Sequence, residues 1–444
     1  MFERQIMTNL RQWKEKSNRK PLVLRGARQV GKTTVVNEFG REFDNYLYFN
    51  LDLNSDRQLL ERDIPLNDLI DSCFARQGLR KQPGSTLFFI DEIQNSLRAI
   101  NLLRYFKEAR PDLHVIAAGS LLENVVDVKA SFPVGRVDYM ALRPCSFTEF
   151  LTALGQDNLR YFIDNPSQSV AVHDQLMSLF NQYAIVGGMP EAVQEYATTR
   201  DVLALDDIYE SLVQGYRDDV EKYAKSGKIE QVVLFLIDTA WSKAGQAITL
   251  GGFANSNYYA REVGEAFRTL QKAMLLELVY PTTSVTVPAL PEEKRKPKLI
   301  MLDTGLTNCQ AGVRHDLIAA NDIQDVWRGH IAEQVVAQEL LTLNDKVSQR
   351  RKFWIKESSS AKVDFVITLD SRLIPIEVKN GRNSHLRSLH SFIDQSPIDI
   401  GVRVWSGPYS VDDVTTTHGK KPFKLINLPF YLVGSLPTVL KSEF

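Results

Sequence analysis

The sequence predicts an α/β protein built in three stretches: a parallel-sheet domain over residues 1–145, a helical region over 146–287 and a second α/β domain over 298–444. Three observations carry that expectation. Short apolar runs alternate with helical stretches up to about Gly119, the pattern of parallel strands covered by helices on both faces. After about Arg143 strand signals become few and helical spacing dominates. From Leu299 onward strand signals return. The stretch PALPEEKRKPK, 288–298, lies before that return, and its prolines and charges suit a linker or an exposed turn.

The elements follow in order. In MFERQIMTNLRQWKEK, Ile6, Leu10 and Trp13 recur among charges at helical spacing. Leu22-Val23-Leu24 reads as a buried strand ending at Gly26. The next helix turns Val35, Val36 and Phe39 inward, and Gly40 suits its C-terminal cap. YLYFNL (46–51), LFFI (87–90) and VIAAG (115–119) supply further strands, with a helix over Leu97 to Phe106. Within Phe147 to Tyr280, VVLFLIDTAWSKAG and NYYAREVGEAFRTLQKAMLLELVY read as two or three amphipathic helices ending in a strand-like run. Both a small winged-helix module and a plain helical bundle have that pattern. The last stretch offers strands LIML (299–302), FWI (353–355), VDFVITL (363–369), LIPIEV (373–378) and GVRVW (401–405), with a long helix from Ile331 to Leu343.

Composition narrows the classes. Over 444 residues, 44% are apolar and 24% charged, enough to bury a sizeable core and unlike a disordered chain. Lys+Arg is 53 against Asp+Glu 54, a net charge of -1, so any contact with nucleic acid must come from a local patch. Cys73, Cys145 and Cys309 are far apart, with neither metal-ligand spacing nor a disulfide framework, which fits a reducing compartment. No apolar run approaches the ~18 residues that span a bilayer, and the first residues lack a signal-peptide core. The expectation is a soluble cytoplasmic protein that makes no membrane contact.

The densest chemical signal is GARQVGKT, residues 26–33, which matches G-x-x-x-x-G-K-[ST] between a strand and a helix. Gly26 and Gly31 let the backbone curl so that the N–H groups of Ala27, Arg28, Gln29 and Val30 face phosphate oxygens. The helix that begins near Lys32 adds its positive end, with Thr34 in its first turn. Lys32 reaches the β- and γ-phosphates of ATP, and the Thr33 hydroxyl ligates Mg²⁺. LFFIDE, residues 87–92, is an apolar strand ending in two acids. Asp91 is the second Mg²⁺ holder, and Glu92 is the general base for the attacking water. In VIAAGS, Ser120 either reads the γ-phosphate or caps the helix starting at Leu121. Arg136 is either a γ-phosphate sensor or finger, or half of a surface ion pair.

With these residues in hand, the chain resembles prokaryotic AAA-type ATPases whose C-terminal domain is related to PD-(D/E)xK nucleases. KPLVLRGARQVGKTT and LFFIDEIQ carry the ATPase part of the resemblance. SFPVGRVDYMALRPCSFTEFL, YAIVGGMPEAV, DDVEKY, KLIMLDTGL and VDFVITLDSRLIPIEVKNG extend it nearly to the end. The resemblance implies ATP and Mg²⁺ as cofactors, a helical or winged-helix middle and a nuclease-like end. Many ATPases of this type form homo-oligomeric rings that use a finger arginine from a neighbouring copy, and Arg136 is the candidate for that role.

The residues of the last stretch fit that motif. Glu377 and Lys379, two apart on a strand, share a face, and a hairpin sets Asp364 beside them. Glu333 on the preceding helix completes a set of oxygen ligands for a hard cation: Glu333, Asp364 and Glu377, with Lys379 orienting the hydroxide. Three readings stand side by side: a metal-dependent nuclease, an inactive nuclease-like binding domain for DNA, RNA or protein, and plain ion pairs. Arg350, Arg351, Lys352, Arg382 and Arg387 are candidate phosphate contacts, Trp354 is a base-stacking or core residue, and KRKPK (294–298) is either a further backbone contact or an exposed basic turn. The function this supports is Mg²⁺-dependent ATP hydrolysis coupled to a C-terminal domain acting on nucleic acid. The alternative is a nucleotide-gated switch that binds without cutting.

Overall fold

The computed structural model describes residues 2–80, 84–119, 135–223, 226–314, 330–343, 345–347, 350–357, 360–379 and 385–443. The chain forms two compact units: Glu3–Arg143 with Asp345–Ser348, and Met1–Phe2 with Pro144–Asn344 and Gln349–Phe444.

The front unit is a parallel five-stranded sheet flanked by helices. Its elements are α1 (Ile6–Lys14), β1 (Leu22–Arg25), α2 (Lys32–Gly40), β2 (Asn45–Asn50), α3 (Asn54–Leu60), α4 (Leu66–Arg76), β3 (Thr86–Asp91), α5 (Leu97–Ala109), β4 (His114–Gly119) and β5 (Asp138–Ala141). The strand order is β2-β3-β4-β1-β5, and every pair is parallel. β1, β3 and β4 are buried along their whole length, as the uninterrupted apolar runs predict. On one face Leu47, Phe49, Phe88, Ile90 and Val115 pack with Leu69, Ile70 and Phe74 of α4 and with Ile100, Leu103 and Phe106 of α5. In such a sheet, ligands meet the carboxyl ends of the strands. Here β1 runs into the glycine-rich loop, β3 ends at Asp91, and β4 stands between them.

Two details differ from expectation. Gly40 is the last residue of α2 rather than a left-handed cap. What it provides is closeness, because a Cβ there would lie 2.8 Å from the Tyr46 ring. Short β5 also lacked a strand signal. It joins the sheet beside β1, and its Ala141 N–H donates to the Asp345 carbonyl at 2.7 Å.

The second unit begins with helices, including Phe147–Ala153, His173–Val186, Gly227–Thr239 and Ala260–Lys272. The last of these leads into an antiparallel pair, β6 (Leu276–Val279) with β8 (Lys298–Met301). A seven-stranded mixed sheet follows in the order β13-β14-β12-β11-β10-β9-β7. Its strands are β7 (Pro281–Thr282), β9 (Lys352–Ile355), β10 (Lys362–Leu369), β11 (Arg372–Val378), β12 (Ile400–Trp405), β13 (Ser410–Thr415) and β14 (Pro422–Pro429). β10 and β11 form the expected hairpin. Leu369 pairs with Arg372 across two residues, Asp370 and Ser371, both at positive φ, the geometry of a tight primed turn. No helix among the described residues is long and apolar enough to cross a membrane.

Candidate functional site

The glycine-rich loop closes over its own lysine. Gly31 adopts φ 92° and caps α2, and Gln29 also lies at positive φ. Gly26 has no room for a side chain, since a Cβ would stand 2.6 Å from the Leu142 carbonyl oxygen. Ala27 and Val30 turn inward, whereas Gln29 and Thr34 face solvent and Arg28 is intermediate. Lys32 is buried and donates to the carbonyls of Gly26 (3.0 Å) and Ala27 (2.9 Å). Burial pulls its ammonium down to about 8, against the opposing attraction of Glu92 and Asp91.

At the end of β3, Asp91 is buried and accepts a 2.6 Å hydrogen bond from the Thr33 hydroxyl. Parallel register through β4 delivers this contact across 58 residues of sequence. Glu92 takes a left-handed conformation, donates its N–H to Asp91 Oδ1 at 3.0 Å and accepts from the Gln94 amide. Burial raises the carboxyls of both Asp91 and Glu92 above the ordinary range. For Asp91 the Thr33 hydroxyl works against that rise most, and for Glu92 the Gln94 amide does. A buried carboxylate next to a hydroxyl is a hard-oxygen pair that suits Mg²⁺.

Several neighbours carried no motif signal. Arg4 braces the loop, donating to the carbonyls of Val30 (3.1 Å) and Arg143 (2.7 Å). Tyr48 stacks on Phe89, and its hydroxyl is pushed up to about 12 by burial and then by Asp91. Of the other expected residues, Ser120 lies outside the described residues. Arg136 pairs with Glu108 at 3.2 Å on the surface.

In the second unit Asp364, Glu377, Glu333 and Lys379 do come together. Asp364 Oδ2 accepts from the Val378 N–H at 3.0 Å, and Lys379 Nζ contacts Glu377 Oε1 at 2.8 Å. The unforeseen member is Lys298. The run KRKPK suggests the end of an exposed basic turn, yet the Lys298 side chain is fully buried. Its ammonium reaches Glu333 Oε2 (2.5 Å), Asp364 Oδ1 (3.2 Å) and the Asp364 carbonyl (3.1 Å). Burial opposes that charge, but Asp364 and Glu333 outweigh it and raise the lysine above its ordinary value. Glu377 is raised by burial and by Asp364. Among the described residues no three His, Cys, Asp or Glu side chains gather as a metal cage.

Other candidates fall into the core. Trp354 is buried and donates to the Thr283 carbonyl, and Arg351 is buried in an ion pair with Glu277 at 2.6 Å. Neither is placed to meet a nucleic acid. Arg382 lies outside the described residues.

The GGMPEAV and DTGL stretches turn out to be one buried polar network. Asp303 accepts from Gly188 N–H (2.5 Å), Leu306 N–H (3.0 Å) and Gln338 (3.3 Å). Gln338 also donates to the Tyr183 hydroxyl, which in turn donates to Glu339 at 2.7 Å. A Cβ on Gly187 would stand 2.4 Å from Asp303, so that position requires glycine.

Comparison with known proteins agrees with the geometry of the front unit. Residues 18–151 match the family model of an AAA domain. Residues 177–317 and 328–418 match two domains of unknown function, DUF8612 and DUF4143. No curated protein matches the chain. Among solved structures, the chain is similar to the Walker-type ATPase PABY2304 of Pyrococcus abyssi at 14% identity and TM-score 0.42, over 70% of this chain and 96% of that one. It is also similar to the Aeropyrum pernix Orc1 protein in complex with DNA, at 12% identity and TM-score 0.25, over 71% and 92%. A third is the Hsp104–ADP complex of S. cerevisiae, at 14% identity and TM-score 0.28, over 76% and 43%. Residues 18–151 thus match an AAA domain, and the strand order and glycine-rich loop of the front unit are those of a P-loop ATPase fold.

Proposed function

We propose that the protein binds ATP with Mg²⁺ at the front unit, hydrolyses it, and uses the cycle to control the second unit in the cytoplasm. The observation that carries this reading is the 2.6 Å contact of Thr33 with Asp91 beside the buried Lys32. Thr33 and Asp91 would hold Mg²⁺, which when bound offsets phosphate charge. Lys32 leaves the Gly26 and Ala27 carbonyls for the β- and γ-phosphates, whose charge restores its full protonation. The loop N–H groups from Ala27 to Lys32 orient the phosphates. Glu92 accepts the proton of the attacking water, Ser120 senses the γ-phosphate, and Arg136 leaves Glu108 to serve a neighbouring copy in a homo-oligomer.

For the rear, the reading is a nuclease-like domain over 298–444 that acts on DNA or RNA, behind a helical or winged-helix region over 146–287 and the ATPase domain over 1–145. A second reading, binding without cleavage, is favoured by one observation: the ammonium of Lys298 lies among the carboxylates.

Turnover of radiolabelled ATP tests the first half. Wild type hydrolyses ATP, and Glu92→Gln loses about 10²–10⁴ of the rate, the usual contribution of a general base. Lys32→Ala loses binding as well. Equal turnover in all three proteins overturns the reading.

A further inference from the structure

We infer that Lys298 is the resident cation of the rear carboxylate cluster, so that this unit holds no divalent metal there and does not cut phosphodiesters. The inference deepens the second reading of the rear unit and rests on it.

Glu333, Asp364 and Glu377 bring three carboxylates to a buried place. Among the described residues three ammonium groups already face them: Lys298 on Glu333 and Asp364, Lys379 on Glu377, and Lys362 at 3.9 Å from Asp364. The cluster is balanced without any ion. A divalent cation added to it would leave two uncompensated charges in a low-dielectric interior, where desolvation is expensive.

Lys298 begins β8, and its ammonium reaches both Glu333 on the helix His330–Thr342 and Asp364 on β10. It lies 5.1 Å from the ring centres of both Phe353 and Phe365, whose faces favour a cation. The side chain is fully enclosed, so the charge serves the cluster and not a phosphate in solvent. Among the described residues Glu377 Oε2 is the carboxylate oxygen of this cluster that is buried without a hydrogen-bond partner, and one such oxygen is no coordination shell.

The test counts Mn²⁺ bound to the full-length protein without nucleotide, read as loss of the free-ion signal in electron paramagnetic resonance. Wild type and Glu377→Gln are expected to give identical titrations, and supercoiled plasmid with Mn²⁺ stays intact with either. Lys298→Met is expected to gain one Mn²⁺ site, filled at concentrations at least about tenfold below any wild-type binding, because three carboxylates then face two ammonium groups. That site disappears in Lys298→Met/Glu377→Gln. A wild-type site, or plasmid cleavage, that Glu377→Gln removes overturns the inference, as does a folded Lys298→Met without a new site. If Lys298→Met does not fold, the wild-type comparison alone decides. None of these readouts involves ATP turnover, so failure here and failure of the ATPase reading are distinguishable.

Discussion

Glu339 is fully buried, accepting from the Phe147 N–H at 3.0 Å and from the Tyr183 hydroxyl at 2.7 Å. Burial nevertheless raises its carboxyl to about 7. The folded state therefore holds this proton more tightly than the unfolded chain does. Its stabilising effect is complete below the unfolded value near 4.5 and is lost as pH rises through about 7. At about 1.4 kcal/mol per unit the window is worth on the order of 3 kcal/mol. Glu339→Gln keeps an acceptor oxygen but does not titrate. Denaturant unfolding from pH 4.5 to 7.5 is expected to show a shallower decline in the variant, and equal slopes contradict this. Asp303, raised to about 6 by burial, keeps some of the decline in both proteins. At this scale the placement of Gly26, Gly31, Lys32, Thr33, Asp91 and Glu92 in the candidate front site was legible, because one loop and one strand set their spacings. Lys298 was not. Its partners lie 35 and 66 residues away, and its neighbours Lys294, Arg295 and Lys296 are solvated.

Local signals set two elements that can be tested directly. Ser146 opens the helix Phe147–Ala153 with a capping box, its hydroxyl accepting from the Glu149 N–H and Glu149 accepting from the Ser146 N–H. Ser146→Ala is expected to cost about 1 kcal/mol, read as a lower urea midpoint with an unchanged slope. The β10–β11 turn places Asp370 and Ser371 at φ 46° and 61°, where Asn-Gly is the better pair. Asp370→Asn with Ser371→Gly is expected to raise the melting temperature, and a lowered one would contradict the primed turn. Strands with a continuous apolar run, such as β3, β4 and β11, were readable for the same reason that they are buried. β13 was not, because SVDDVT pairs only with β14 at the sheet edge and keeps its polar face in water. β14 was not readable either, because Pro422, Lys424, Asn427 and Pro429 break up its apolar residues although most of its length is buried.

For the whole chain, the change in texture after Arg143 coincides with the end of the front unit's main segment. The return of Asp345–Ser348 to that unit had no local signal, since it depends on a backbone pairing with Ala141. With a net charge of -1 the molecule has no global field to draw in an anionic ligand, so nucleotide capture must come from the loop itself. The most direct measurement is a calorimetric titration of the full chain with ATP in excess Mg²⁺, beside Lys32→Ala. The account predicts saturable heat at one site per wild-type chain and none in the variant. No heat from well-folded wild type, or the same heat from Lys32→Ala, would contradict it.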